Sequence, residues 1–417
     1  MELSIHALLQ NRKIIVIAAV VLSLILLVGT SYLLFPEVRD GQPPVLKIEG
    51  IQENDRFYDA YEIRFSAEDK ETSLASAEIL VNNEQVYSSE ISDTSFDGMA
   101  QILTADLPEG AHTLAVRVHD RALFSHKTEW SARFWIDRTP PKIETKMIAA
   151  NIKQGDTLAL YFNADEQLRE PAVIFKTMKY PVDVVDEAEY IYVALIPVSV
   201  FSTVKKEPVL CQFSDVAGNR VEENLLVSVT AGTFEKERIE VPSGKVAIFS
   251  DKNAERRKTE GRIIAEAIST HSTLKFWYDK FIRPSEGVVS SSFASQRVYS
   301  TGSVASCHKG MDIANKTGTP IYAANYGKVI IAREFLVYGN TVIIDHGQGI
   351  VTLYGHMDYL VVQEGEYVTR NQQIGVMGDT GLATGPHLHW ELRINGREAN
   401  PVQWEETNFE HPWKTAF

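Results

Sequence analysis

Between residues 41 and 231 the chain alternates apolar and polar side chains with a period of two, and it does so twice, each time after a proline pair. Pro43-Pro44-Val45-Leu46-Lys47-Ile48-Glu49 precedes the set Tyr61, Ile63, Phe65 and Ala67, and Pro140-Pro141-Lys142-Ile143-Glu144 precedes Leu158, Leu160 and Phe162. Successive side chains of a strand point to opposite faces, so each set predicts strands with one packed face. The first copy closes on Leu114, Val116 and Val118 before Asp120-Arg121-Ala122, the second on Asp215-Val216-Ala217-Gly218-Asn219. Two strand-bearing modules, each about the size of one immunoglobulin domain, follow from this repeat, at 41–139 and 140–231. The boundary falls at Asp137-Arg138-Thr139-Pro140-Pro141, because proline pairs stop strands and stiffen linkers.

Other periods mark the two ends of the chain. Ile14 to Leu34 is almost continuously apolar, interrupted only by Ser23, Gly29, Thr30 and Ser31, which is long enough to cross a bilayer as a helix. Arg12 and Lys13 precede it, so the positive-inside rule leaves 1–13 as a cytoplasmic tail and sends everything after a 14–35 transmembrane helix outward. No small-x-small cleavage site follows, which favours an uncleaved anchor over a removed signal peptide. From about Asp251 to Tyr278 the composition turns helical. Lys252, Glu255, Arg256, Arg257, Lys258 and Glu260 come first, then Ile263, Ile264, Ala267 and Ile268 at three-to-four spacing, which predicts a connecting helix within a 232–286 linker. The basic cluster Arg256, Arg257 and Lys258 reads as a solvated face. Near the end, His387-Leu388-His389-Trp390-Glu391-Leu392 is a strand with His387, His389 and Glu391 on one face and Leu388, Trp390 and Leu392 on the other.

Composition narrows the possibilities. At 417 residues, 44% hydrophobic and 23% charged, the chain has room for about three domains with their own cores. Its two cysteines, Cys211 and Cys307, fall in different predicted domains and form no disulfide framework, so packing must supply the stability. A formal charge of -14 argues against a nucleic-acid binder, which would want a basic stripe.

The chemistry lies in the last third. Asp312 follows His308 by four residues in Cys307-His308-Lys309-Gly310-Met311-Asp312, and the His387/His389 pair comes far downstream. Three protein ligands of nitrogen and oxygen type with a fourth position left for water describe a catalytic rather than a structural zinc site. His308, Asp312 and one histidine of the pair supply that count. The other would stand beside the metal-bound water, where an imidazole can move protons while zinc acidifies the water and polarises a carbonyl. A second free imidazole is available at His356, in Tyr354-Gly355-His356-Met357. Cys307 adjoins His308, but an extended neighbour points its side chain the other way, which argues against it as a ligand. His346, ahead of Gly347, reads as a turn or supporting residue.

These segments resemble the LytM or lysostaphin-type peptidoglycan metallopeptidases. His308-Lys309-Gly310-Met311-Asp312-Ile313-Ala314 with Gly318-Thr319-Pro320-Ile321-Tyr322-Ala323-Ala324 is similar to the family's first metal segment and the strand after it. Asp345-His346-Gly347 and Tyr354-Gly355-His356-Met357 are similar to its middle segment, and Gly378-Asp379-Thr380-Gly381 through His387-Leu388-His389 to its last. The resemblance implies a compact, mostly antiparallel β domain over 287–404, with 405–417 as a tail. It also implies one Zn2+ per chain held by His308, Asp312 and His389, with His356 and His387 as non-ligating catalytic histidines. One departure is Ser291-Ser292-Phe293-Ala294-Ser295-Gln296-Arg297, where Ala294 stands at a position usually glycine, and only glycine takes positive φ without cost. The Asp-x-Ala-Gly-Asn turn and the Asp-x-Thr-Pro-Pro junction likewise resemble bacterial immunoglobulin-like repeats, implying immunoglobulin-like modules.

The expected protein is therefore multidomain and mostly β: a transmembrane helix, two immunoglobulin-like sandwiches, a connecting helix and a metallopeptidase domain. Its expected partners are peptidoglycan and the membrane, with no nucleic acid. It is expected to be a zinc metalloendopeptidase cutting peptide stems or cross-links through a zinc-activated water, single-pass in the cell membrane, its C-terminal domains in the periplasm or extracytoplasmic space. The alternatives are a non-enzymatic LytM-type regulator that activates a cell-wall amidase, and an adhesive scaffold. Because a sandwich carries its own core, the catalytic segment is expected to fold without either module.

Overall fold

The computed structural model describes residues 17, 19–31, 41–240, 243–299, 306–410 and 412–413. Residues 19–31 are helical, with Leu22, Ile25 and Leu27 exposed. Among the described residues no helix is long and apolar enough to cross a membrane. The expected cytoplasmic tail and positions 14–16, 18 and 32–35 of the expected span lie outside the described residues.

The chain divides into two compact units, residues 1–140 with 216–219, and 141–215 with 220–417. In the first, Tyr61–Glu68 lies between Val45–Glu49 and Ser95–Ile102 in one sheet. A five-stranded sheet, ordered Asp55–Phe57, Lys127–Ile136, Gly110–Asp120, Leu74–Val81, Glu84–Glu90, faces it. Alternation works as the sequence implies: Tyr61, Ile63, Phe65 and Ala67 point inward and share a core with Leu114, Val116 and Val118.

The second unit begins with another sandwich. One of its sheets, ordered Asp183–Asp186, Ile191–Pro197, Thr157–Ala164, Ile143–Ile148, is covered on both faces. Leu158, Leu160, Phe162, Tyr192, Ala194 and Ile196 fill the sandwich's own core. The alternate residues Ala159, Tyr161, Ile191, Val193 and Leu195 belong instead to the core of the C-terminal domain, with Trp277, Phe281, Trp404 and Phe409. Polar ties reinforce the seam. Thr157 N–H donates to Gln403 Oε1 at 2.6 Å, Trp404 Nε1–H donates to Thr157 Oγ1 at 3.0 Å, and Asn400 Nδ2–H donates to Asp156 Oδ1 at 2.9 Å. The module's outward face is thus an interior surface, and the expectation that the catalytic segment stands alone gives way to a shared core. Residues 405–410, expected as a tail, take part in it: Phe409 is buried against Trp404, with ring centroids 4.2 Å apart.

The connecting helix is shorter than composition implies. It spans Ala254–Ile268 behind short 3-10 turns and buries Ile264 and Ala267 against Phe335, Ile343 and Leu353. Beyond it, Ser269-Thr270-His271-Ser272-Thr273 offers β-branched and self-bonding side chains that favour non-helical backbone. The chain then runs extended, with the Phe276 and Trp277 N–H groups donating to His346 O.

The C-terminal domain is a ten-stranded sheet whose strand pairs are all antiparallel. Its central order is Val288–Ser291, Met311–Ala314, His387–Ile394, Ile350–Leu360, Gly339–Gly347, Gly327–Phe335 and Tyr367–Val368.

Candidate metal centre

Strand register assembles the site. Met311–Ala314 pairs with His387–Ile394 so that Asp312 lies opposite His389, and Ile350–Leu360 pairs on the other side so that Gly355, the residue before His356, also lies opposite His389. Side chains directly opposite one another in a ladder sit on the same face at contact distance. His308 joins them across Gly310, where an added Cβ would stand 2.3 Å from Trp390 O. Glycine is required there because the chain must approach that carbonyl closely.

Three of the singled-out groups converge, and all three are buried: His308, Asp312 and His389. His308 Nε2 is 3.0 Å from His389 Nδ1 and 3.1 Å from Asp312 Oδ1, and His389 Nδ1 is 2.8 Å from Asp312 Oδ1. A tetrahedral ion with bonds of about 2.0–2.1 Å spaces its ligands by roughly 3.3 Å, so this nearly equilateral triangle needs only a small expansion to hold one. Two imidazole nitrogens and one carboxylate oxygen are also a fitting donor set for it.

Each outward-facing atom of the triangle is occupied, which fixes the inward one. His308 Nδ1–H donates to Ser292 O at 3.1 Å and Ser291 Oγ at 3.0 Å, leaving Nε2 with a lone pair. Ser291 Oγ–H in turn donates to Glu237 Oε2 at 2.7 Å, from the strand Lys236–Ile239. Asp312 Oδ2 accepts from Arg297 Nη2, leaving Oδ1 inward. His389 Nε2–H donates to Glu391 Oε1 at 2.9 Å, leaving Nδ1 inward, while Glu391 is itself held by Arg393 and by Tyr338 OH at 3.1 Å. A carboxylate behind a ligating histidine fixes its tautomer and raises its basicity.

The electrostatics follow from this wiring. Burial disfavours the charged form of Asp312, but its close contacts with the His308 and His389 imidazoles outweigh this and hold the carboxyl well below its usual range. Burial also opposes a charge on His389, yet Asp312 and Glu391 together push it up to about 9. His308 moves the other way, lowered chiefly by burial.

His356 and His387 stand beside the triangle rather than in it. Their rings are 4.7 Å apart, and His387 Nε2 is 3.8 Å from Asp312 Oδ1. Both donate Nδ1–H to backbone carbonyls, His356 to Thr380 O and His387 to Gly385 O, each at 2.8 Å, so both keep an unprotonated Nε2. Burial lowers both, with nearby histidines adding to it at His356, which falls to about 3. His356 has φ 61°, a left-handed conformation that an L-residue adopts at some energetic cost. Ala294 does the same at φ 64°, donating its N–H to His308 O at 2.8 Å, so the opening turn keeps the glycine-type backbone although the glycine is absent.

The other singled-out residues lie elsewhere. His346 is fully buried, its Nδ1–H donating to Tyr326 O at 2.6 Å and its Nε2 accepting from Thr352 Oγ1 at 2.7 Å, and it ties the end of its hairpin to a neighbouring loop. Cys307 is a free thiol outside the cluster. The sequence placed Glu391 on the histidine face without a role and left Arg393 unremarked; the signal that marks both is a charge at every second position of an otherwise apolar strand. Nothing in the sequence signals Glu237.

A family model described as Peptidase family M23 matches residues 306–401. Those residues form an M23 peptidase domain. Among curated relatives, the peptidoglycan DD-endopeptidase ShyA of Vibrio cholerae is 39% identical over 115 residues, 28% of this chain and 27% of that one. The DD-carboxypeptidase/endopeptidase Mpg of Neisseria meningitidis is 44% identical over 95 residues, 23% of this chain and 22% of that one. The chain thus spans about a quarter of the length of these relatives, 27% and 22%. Glu237, Ser291 and Arg297, which brace His308 and Asp312, lie outside the segment that matches the M23 family model.

The bracing makes a prediction within the M23 domain. Glu391→Gln keeps an acceptor for His389 but removes the charge, so metal affinity should fall roughly 10- to 100-fold. Competition with a chromophoric chelator measures this directly. An unchanged affinity in a folded variant would remove the orienting role.

Proposed function

We propose that this protein is a membrane-anchored zinc metalloendopeptidase that hydrolyses peptide stems or cross-links of peptidoglycan. The observation that carries the reading is the convergence of His308 Nε2, Asp312 Oδ1 and His389 Nδ1, with two unprotonated imidazoles at their side. Zinc bound there supplies a Lewis acid and an acidified water. The chain's own residues do the rest. His356 and His387, kept neutral by burial, have a free Nε2 that can take a proton from the attacking water. Once protonated, the same nitrogen is a donor for the developing oxyanion and then for the departing amine. Peptidoglycan as substrate is supported by the relatives' names, ShyA and Mpg being peptidoglycan DD-endopeptidase and DD-carboxypeptidase/endopeptidase.

The anchor is supported by the apolar run from Ile14 to Leu34 after Arg12 and Lys13. In sequence order, two sandwich modules that we read as immunoglobulin-like follow the anchor and precede the M23 domain. Digestion of muropeptides of defined cross-link by the full chain, with metal removed and restored, tests the activity. Absence of metal-dependent cleavage sinks it. Carbonate extraction of membranes tests the anchor, and release of the intact protein into the soluble fraction removes it.

A further inference from the structure

Against the M23 domain lies a cavity of about 260 Å3 with walls from separate parts of the chain. Val200 and Phe201, in the loop after the strand Ile191–Pro197, form one wall, and Phe293 of the opening turn forms another. Phe201 is 80% exposed. The polar side carries Lys309, Arg397 and Glu398. Glu398 is already bonded to Arg393 Nη1 at 2.7 Å. Among the described residues, Lys309 and Arg397 make neither a side-chain hydrogen bond nor an ion pair, and Lys309 acts on Glu398 only at longer range. A cavity with two uncommitted cations is unusual in a chain of net charge -14 and selects an anion.

Size and lining restrict that anion further. Drug-sized pockets run from roughly 300 to 1,000 Å3, so this one suits one or two small residues. Aromatic and aliphatic walls favour a small apolar side chain, and a guanidinium beside an ammonium favours a carboxylate. His308, whose ring belongs to the metal cluster, is also among the residues that line the cavity. We infer that this cavity is a peptide subsite that takes a free carboxylate beside a small apolar side chain, with the second module's loop forming one wall of it. The assignment rests on the peptidoglycan reading for its substrate class, since stem peptides carry free carboxylates next to small residues. It makes the module a specificity element, beyond a spacer.

The test uses the full chain with its metal and a pair of muropeptides that differ only in a carboxylate or carboxamide at the stem. The native protein should prefer the acid roughly tenfold in kcat/KM, through KM, the scale of a charge-assisted hydrogen bond. Arg397→Gln and Lys309→Gln, both at exposed positions, should each erase most of that preference by raising KM for the acid toward that for the amide. Phe201→Ala should raise KM for both substrates. Equal preference in native protein and variants overturns the subsite and leaves the peptidase reading standing. Titration of N-acetyl-alanyl-alanine and its carboxamide, followed by NMR, needs no turnover. Acid-selective binding that Arg397→Gln abolishes, in a protein that cleaves nothing, supports the subsite and sinks the peptidase reading. Inorganic phosphate binding as well as the dipeptide overturns the peptide assignment.

Discussion

Replacing His308, Asp312 or His389 by Ala should remove metal and hydrolysis together, whereas replacing His356 or His387 by Ala should leave the metal in place and remove only turnover. The three atoms of the first set lie within 2.8–3.1 Å of one another and share one cation position. Loss of one leaves two ligands, too few for a stable zinc site. His356 and His387 face the same position from outside, their Nδ1–H groups committed to Thr380 and Gly385. Their loss costs a proton-transfer or oxyanion-stabilising group, on the order of 100- to 10,000-fold in turnover. Metal analysis beside a muropeptide assay separates the classes. Metal lost from His387→Ala but kept by His389→Ala would exchange the two assignments. Undiminished hydrolysis by Asp312→Ala would end the metallopeptidase reading.

A fragment beginning at residue 141 should unfold in one cooperative transition, and one beginning at residue 287 should be severely destabilised or aggregate. Truncation at 287 removes the sandwich strands that cover Trp404 and Phe409, together with Trp277 and Phe281, which belong to the same core. Uncovering a large apolar side chain costs about 2 kcal/mol, so Trp404 and Phe409 alone account for roughly 4 kcal/mol against a typical domain stability of about 5–15 kcal/mol. It also deprives His308 of the Glu237–Ser291 brace. The first module's residues, Ile63, Phe65, Leu114 and Val116 among them, keep a separate core, and their removal should not lower the second transition. Thermal unfolding of the two fragments followed by circular dichroism decides the matter. Matching melts would show that the shared core contributes nothing.

The contrast between the two sandwiches shows where sequence reading reaches its limit. Tyr61–Glu68 alternates apolar and charged residues, and its burial alternates with it. Ile191–Pro197 reads Ile-Tyr-Val-Ala-Leu-Ile-Pro, a continuous apolar run buried along its whole length. Such a run signals a strand covered on both faces, but not what covers the second one. The helix within Asp251–Tyr278 fared similarly. Its apolar positions and the Ser/Thr-rich stretch that ends it at Ile268 are local, while the burial of Trp277 and Phe281 beyond it in a core built from strands far along the chain is not.

The sequence by itself determined the strand periodicity of the modules, the order of the metallopeptidase segments, and the five residues His308, Asp312, His356, His387 and His389 that the fold brings to one place. These are written in local periods and in short motifs whose residues keep fixed spacing. Only the tertiary structure decided which ring nitrogen of each histidine faces inward, that Glu391 and Arg393 stand behind His389, that Glu237 and Ser291 stand behind His308, and that the second module shares a core with the catalytic domain. Most of those contacts join residues tens to hundreds of positions apart; the local ones at Glu391 and Arg393 share a strand face that the period does reveal, but their roles depend on which side-chain atom is already bonded, and that leaves no period in the chain.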